Sequence, residues 1–299
     1  MNNKNILREP QPEWGGNWTI KKLDAFAKYV AAYLTIMKKH PYWKTIYFDG
    51  FAGSGDRKIK CDSSLYKQLL LNEEETETYK GAAERVLTLP NKLAFDFYYF
   101  IDTNEESLQK LGQKLSLFKT ENATSIQYRS GDCNQYIFEL ANAMKKNPKS
   151  FASLVLLDPF GMQINWESIS NLKDTRTDIW ILVPTGVIVN RLLDRNGDLK
   201  HSVKLQSFFG LTEYEIREYF YKKETINTLF GEQELVHKIS KPIEKIAELY
   251  IRQLKTSWKF VTEEPLRLEN KRGVPIFHFV FASNNVHAVK IAKQIIKNV

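Results

Sequence analysis

Thr45 to Lys58 reads TIYFDGFAGSGDRK. Its first half is β-branched and aromatic, which is the composition of a strand. Its second half is an acid, Asp49, followed by Gly50, Gly53 and Gly55. Bare backbone directly after a strand serves a tight turn or a ligand that must approach the main chain closely. A phosphate loop, a nucleoside pocket and a plain turn are all open at this point.

The flanking sequence narrows the fold. Before the strand, residues 17–39 carry Leu23, Phe26, Ala27, Val30, Leu34 and Met37 at three- and four-residue steps, which predicts an amphipathic helix. After the glycines, residues 56–80 are polar, include NEEETETYK, and predict a loop or insertion. AAERVLTL then predicts a short helix. Strand-like LAFDFYYFID, SIQYRSGD, SFASLVLLDPFG and DIWILVP alternate with helix-like NEESLQKLGQKLSLF, CNQYIFELANAMKK and NWESISNLKD. Continuous apolar strands alternating with amphipathic helices predict a parallel sheet covered on both faces. Residues 186–255 look mostly helical, including TEYEIREYFYKKETINTLF and PIEKIAELYIRQLK. Two strands around KRG then predict an edge hairpin, and AVKIAKQIIK predicts a closing helix.

Composition bounds the function. The chain has 299 residues, 43% of them hydrophobic, enough for a sizeable core. A net charge of +8 favours polyanionic partners, nucleic acid first, although a basic protein with no such partner has the same charge. Cys61 and Cys133 form no CxxC, and the five histidines form no HxH or HExxH, so neither a disulfide framework nor a metal site is expected. MNNKNILREPQPEW has no apolar core of a signal peptide, and no apolar run reaches the roughly 18 residues of a membrane span. A cytoplasmic protein is expected.

In an open α/β sheet, ligands bind at the carboxyl ends of the strands. Here each of the first four strands ends in an acid: Asp49, Asp102, Asp132 after Gly131, and Asp158 in Asp158-Pro159-Phe160-Gly161. Any one of them alone reads as a cap or a turn residue. Together they suit a nucleoside cofactor, because a carboxylate after the second strand can accept from a ribose diol, and one after the third from an exocyclic amine. The dinucleotide fingerprint is incomplete: no third glycine follows at its offset, and Asp102 lies far beyond the roughly 20-residue spacing it requires. This weighs against a nicotinamide-dependent enzyme. GxxxxGK[ST] and GxSxG are both absent, which removes a P-loop nucleotidase and a serine hydrolase elbow.

DGFAGSG, FID, GD and LDPFG, in this order, resemble the motif series of class I S-adenosylmethionine-dependent methyltransferases, over about Thr45 to Ser283. More narrowly, YFDGFAGSG, LDPFGMQINWESI and DIWILVPTGVIVNRLL resemble the three-Cys-motif partner proteins (TcmP), and Trp18 and Lys22 in the first helix fit that family too. GAAER at Gly81–Arg85 departs from the Gly-Ser-Pro start of the family. The resemblance implies a Rossmann-like α/β fold with a mostly parallel seven-stranded sheet and an antiparallel edge hairpin. Residues 45–185 and 256–299 would form the core, 1–44 an N-terminal helical extension, and 186–255 a helical insertion or cap.

The resemblance also implies roles. Asp49, Gly50, Gly53 and Gly55 would line the methionine part of S-adenosyl-L-methionine, with Phe51 and Ala52 as turn neighbours. Asp102 would bind the ribose hydroxyls and Asp132 the adenine amine. Cys133 adjoins Asp132 on that cofactor side; it reads as a small packed residue at a helix start. Asp158, Pro159, Phe160 and Gly161 would sit where the methyl group is transferred. Amine methyltransferases often carry Asp-Pro-Pro-Tyr there, and DPFG is similar to the tRNA N2-guanine dimethyltransferases. No cysteine adjoins Pro159, which argues against methylation at pyrimidine carbon 5. Trp166, Asn190 and Arg191 are the candidates for substrate binding, with basic character added by Arg195, Lys200, His201, Lys204, Lys271 and Arg272. The expected acceptor is an exocyclic amine of a nucleic-acid base, and the family implies a three-Cys-motif protein as partner. The competing expectation is a methyltransferase-like subunit that binds without catalysing, or that acts only with that partner.

Overall fold

The computed structural model describes residues 16–55, 80–90, 93–118, 125–229, 231–270 and 272–299. The stretch 56–80 lies outside them apart from Lys80, as do Cys61 and Lys271. Five strands run parallel: β1 Lys44–Asp49, β2 Phe97–Asp102, β3 Ser125–Ser130, β4 Phe151–Leu157 and β5 Thr177–Val183. Five further strands or strand pieces follow, and the chain divides them between two sheets. β6 Tyr221–Thr228 and β7 Gly231–Lys238 pair only with each other, while β8 Phe260–Val261 and β9 Leu266–Glu269 both pair with β10 Pro275–Ser283. The main sheet has the order β3-β2-β1-β4-β5-β10-β8, with β10 antiparallel to β5. β8 and β9 are two pieces of one edge strand, interrupted at residues 262–265, where Pro265 has no N–H to give a ladder. The expected seven-position, mostly parallel Rossmann-like sheet with an antiparallel edge is therefore present.

Alternation along the strands explains the two-sided cover. Tyr47, Tyr98, Phe100, Leu154, Leu156, Trp180 and Phe281 share one core, while Ile46, Phe48, Val155, Leu157, Ile179 and Val280 share the other. Successive strand side chains point to opposite faces, so each apolar run supplies both layers. The first core is covered by α1 Gly16–Met37, α2 Ala82–Leu87, α3 Glu105–Leu115 and α9 Val286–Lys297. The stripe of α1 is Leu23, Phe26, Tyr29, Val30, Tyr33 and Leu34, all buried. At about 2 kcal/mol for each large apolar side chain buried, that stripe is ample to dock the helix. Tyr29 meets Trp180 edge-on at 5.6 Å and Phe281 at 4.6 Å between ring centroids.

The second core is covered by α4 Cys133–Lys146, α5 Trp166–Ser170, α6 Ser202–Phe209, α7 Glu213–Phe220 and α8 Pro242–Ser257. Ile246, Leu249, Tyr250 and Leu254 of α8 belong to the same core as β4 and β5. Thr212 caps α7 through a reciprocal capping box with Glu215.

One expectation is not met within 186–255. The sequence pattern carries helix through KKETINT, yet α7 stops at Phe220 and β6 begins at Tyr221, whose φ of −131° and ψ of 146° are extended. The β-branched Thr225, Ile226 and Thr228 suit a strand. Gly231, at φ +111°, closes the turn with Thr228, whose Oγ1 donates to the Gly231 carbonyl at 2.8 Å. Lys223 pairs diagonally with Glu234 at 2.6 Å across the two strands. The alternating acids and bases that mimic a solvated helix are thus cross-strand pairs.

Candidate functional site

The strand order reverses direction at β1, which lies between β2 and β4. That point is where an open α/β sheet leaves a crevice at its carboxyl end. The loop after β1 is pinned on both sides of the crevice. The Gly50 N–H donates to the Leu156 carbonyl at 3.0 Å and the Ala52 N–H to the Ile101 carbonyl at 2.9 Å. Gly53 lies in the left-handed region at φ +59°, and a Cβ built on it would meet nothing within 4 Å, so its backbone faces open space. Gly50 has the opposite reason for being glycine. A Cβ there would lie 2.4 Å from Cys133 Sγ and 2.8 Å from Leu157 Cδ2.

Asp102 at the end of β2 holds this loop. Its Oδ2 accepts from the Gly53 N–H at 3.0 Å and its Oδ1 from the Asn104 N–H at 2.8 Å. A carboxylate oxygen accepts more than one hydrogen bond, so both retain capacity for a ligand. On the far side, Lys114 of α3 donates to the Gly55 carbonyl at 2.9 Å and pairs with Glu84 of α2 at 3.2 Å. The loop is thereby tied to α2, α3, β2 and β4.

Asp49 is 2% exposed. Burial pushes its carboxyl up to about 7, with Asp158 adding in the same direction. Donation from Tyr47 Oη at 3.0 Å and from the Phe51 N–H at 3.3 Å, together with the charge of Lys22, opposes that rise. Desolvation outweighs three favourable partners because the charged form has lost its water. Asp158, one strand over, is engaged from α1: Lys22 Nζ donates to its Oδ2 at 2.5 Å. Lys22 is 2% exposed, whereas the Asp158 side chain is 24% exposed. The ammonium also lies 5.6 Å from the ring of Trp18, which stacks on Phe277. Phe160 is exposed beside the acid, and the Gly161 N–H donates to Gln163 Oε1 at 2.6 Å.

These groups line one cleft. Of the sequence-expected residues, it brings together Asp49, Phe51, Ala52, Gly53, Gly55, Asp158, Pro159 and Phe160. Gly50, Asp102 and Gly161 support that lining from behind or beside it. Asp132 caps α4, with its Oδ1 accepting from the Asn134 N–H at 2.9 Å and Asn134 Nδ2 at 3.0 Å, and it does not line the cleft. Cys133 is buried against the Gly50 backbone, and burial pushes its thiol well up, so it packs as a neutral group.

The three substrate candidates lie elsewhere. Trp166 packs on Gly210 and meets Tyr250 edge-on at 6.2 Å. Asn190 accepts from Lys238 Nζ through its carbonyl at 2.6 Å and its Oδ1 at 2.7 Å, and Arg191 is exposed. None of them lines the cleft.

The cleft also contains groups that sequence reasoning did not assign to the site. α1 contributes Trp18, Thr19, Lys22 and Leu23, α2 contributes Gly81 and Ala82, and β10 contributes Phe277. A signal for Lys22 existed: it sits four residues before Phe26, on the stripe that α1 buries. A second cavity opens at the opposite end of the sheet, beneath Tyr29, Tyr33, Asp178 and Ser283. Tyr29 Oη and Ser283 Oγ donate to Asp178 there at 2.7 and 2.5 Å, and burial raises that carboxyl.

No family model matches the chain, and no curated protein matches it. Solved structures do. A DUF519 protein of Legionella pneumophila is 16% identical, with a TM-score of 0.40, over 80% of this chain and 92% of that one. Trm1 of Pyrococcus horikoshii, in complex with S-adenosyl-L-methionine, is 10% identical, with a TM-score of 0.37, over 96% and 74%. An rRNA methylase of Streptococcus thermophilus is 14% identical, with a TM-score of 0.28, over 69% and 96%. The geometry of the cleft, and not these likenesses, carries the functional reading.

Proposed function

We propose that the protein is an S-adenosyl-L-methionine-dependent methyltransferase acting on an exocyclic amine of a nucleic-acid base. The observation that carries this reading is a single cleft at the switch point that joins the bare loop after β1 to Asp158-Pro159-Phe160 after β4. The residues present fit the cofactor. The space in front of Gly53 is open, Asp102 beside it has acceptor capacity for a ribose diol, and Asp49 offers an acceptor for the methionine ammonium. Asp132 lies outside the lining of the cleft at the start of α4; its Oδ2 accepts no hydrogen bond among the described residues and would take the adenine amine where the cofactor extends beyond that lining.

When bound, the cofactor supplies an electrophilic methyl group on a sulfonium sulfur. The chain's part is positioning, since the acceptor nitrogen's lone pair must meet that carbon in line. Asp158 Oδ1 would accept an N–H of the acceptor and so turn the lone pair toward the cofactor. Phe160, exposed beside it, would stack on the base. With the cofactor bound, a methyl group passing from sulfur to the acceptor nitrogen would leave the bond pair on sulfur, and Asp158 would hold the N–H side from which one proton is lost to solvent. The net charge of +8 suits a nucleic-acid strand at the mouth.

Titration calorimetry with S-adenosylmethionine tests the cofactor, and transfer of a labelled methyl group to total RNA and DNA tests the acceptor class. Asp102→Ala removes the acceptor for two backbone N–H groups as well as the proposed ribose contact, and is expected to weaken cofactor binding at least about tenfold. Unmeasurable affinity in the native protein refutes the reading. The finer family reading, a three-Cys-motif partner protein, rests on the strings around Asp49, Asp158 and Arg191. Activity that appears only when such a protein is co-purified would support it.

A further inference from the structure

We propose that Lys22 is the fixed counter-ion of Asp158: it holds Oδ2 of that acid, leaves Oδ1 for an N–H donor, and makes the methyl-transfer end of the cleft electrically neutral. This rests on the cofactor reading above. The contact joins α1 to the end of β4 across 136 residues of sequence, and the lysine is 2% exposed. An ammonium carried that deep by an otherwise apolar stripe is held by a partner, because burying it unpaired is costly. Among the described residues no hydrogen bond reaches Asp158 Oδ1, so one oxygen of the carboxylate stays available beside exposed Phe160.

Several other groups lie close to Lys22 among the described residues. Trp18 and Thr19 come from its own helix, Asp49 from β1 and Asp158 from β4. Burial raises the Asp49 carboxyl to about 7, which keeps it largely protonated below neutral pH. A neutral exocyclic amine then meets one ready acceptor. A protonated lysine side chain would instead meet the charge of Lys22, and like charges in a shielded cleft repel. The pair therefore favours a nucleobase amine over a protein ammonium.

The test compares two ligands that differ in one charge. S-adenosylmethionine carries a sulfonium cation, and S-adenosylhomocysteine is the neutral thioether. Calorimetry at pH 6 on the full chain reads the ratio of their affinities. Lys22→Met leaves an uncompensated carboxylate and is expected to raise the preference for the sulfonium about tenfold. Asp158→Asn leaves an uncompensated ammonium and is expected to lower it about tenfold. The double variant is expected to return to within about threefold of the native ratio. Loosened packing alone would weaken both ligands together and leave the ratio unchanged. If Lys22→Met fails to fold, the nearly isosteric Asp158→Asn decides alone: a fall in the ratio supports the proposal and no change overturns it. Unshifted ratios, or shifts of the same sign in both single variants, overturn the counter-ion role while the cofactor reading stands. A native protein that binds neither ligand overturns the cofactor reading, and this proposal with it.

Discussion

The buried acid at the end of β1 gives the most quantitative expectation. In the native state Asp49 is raised from 3.8 to about 7, chiefly by burial. The sign follows from proton counting. Well below pH 3.8 both native and unfolded chains hold the proton. As the pH rises toward 7 the unfolded chain releases it first, so stability falls. Above 7 both are ionised and the deficit stays constant. At ~1.4 kcal/mol per pH unit, the full deficit is about 4 kcal/mol, and the part between pH 5 and 8 is about 3 kcal/mol. Asp49→Asn mimics the protonated acid, with its carbonyl oxygen toward the Phe51 N–H and its amide toward Tyr47 Oη. All other titrating groups are shared, so subtracting the variant from the native protein isolates Asp49. Urea unfolding of both at pH 5, 6, 7 and 8 should show the native protein losing about 3 kcal/mol relative to the variant over that range. A flat difference, or a native protein that gains on the variant with rising pH, would mean that Asp49 is ionised in the fold and that its three favourable partners outweigh desolvation.

Two further outcomes follow from the same cleft. Gly50→Ala drives a methyl group to 2.4 Å from Cys133 Sγ and is expected to cost about 1–3 kcal/mol in urea unfolding, with Cys133→Ala in the same chain recovering much of the loss. If the second substitution recovers nothing, the Leu157 contact or the backbone is the cause. Phe160→Ala is expected to leave thermal stability and cofactor affinity near native, because the ring is exposed, while cutting methyl transfer to a nucleic-acid acceptor at least about tenfold. Equal transfer by both proteins would remove Phe160 from acceptor binding.

The sheet was legible because its signal is local. Each of FASLVLL and TDIWILV is a continuous apolar run, and such a run packs on both faces whatever its neighbours are. The hairpin at β6 and β7 was not legible, because both strands are mostly exposed and carry no apolar alternation to set a period of two. There the acids and bases are spaced for cross-strand pairing, which a single strand of text cannot distinguish from a solvated helix. The broken edge strand failed to show for a related reason. KFVTEEPLRLEN reads as one strand before the KRG turn, and only the pairing with β10 shows it as two pieces, β8 and β9.

The site divides along the same line. Glycines and acids at strand ends announce themselves in order, so the placement of the loop after β1, Asp102 and Asp158 at one end of the sheet was readable from the strand pattern, while the roles given to them came from the family resemblance. Trp166, Asn190 and Arg191 follow the fourth and fifth strands, and Arg191 lies in a family-like string, yet following a strand does not fix where a side chain turns. Trp166 turns into the core beneath Gly210, and Asn190 is held by Lys238. Lys22 shows the converse. No strand-end glycine or acid lies near it in sequence, and its partner is 136 residues away. What marks it is a conflict: a long cation on a buried stripe contradicts the pattern that formed the helix. A residue that breaks its own element's rule must be compensated from another element. In this fold the compensation comes from the one acid whose neighbours are Pro159 and exposed Phe160. The N-terminal helix is therefore a wall of the cleft as well as a cover for the sheet, and its docking sets the charge that any acceptor would meet.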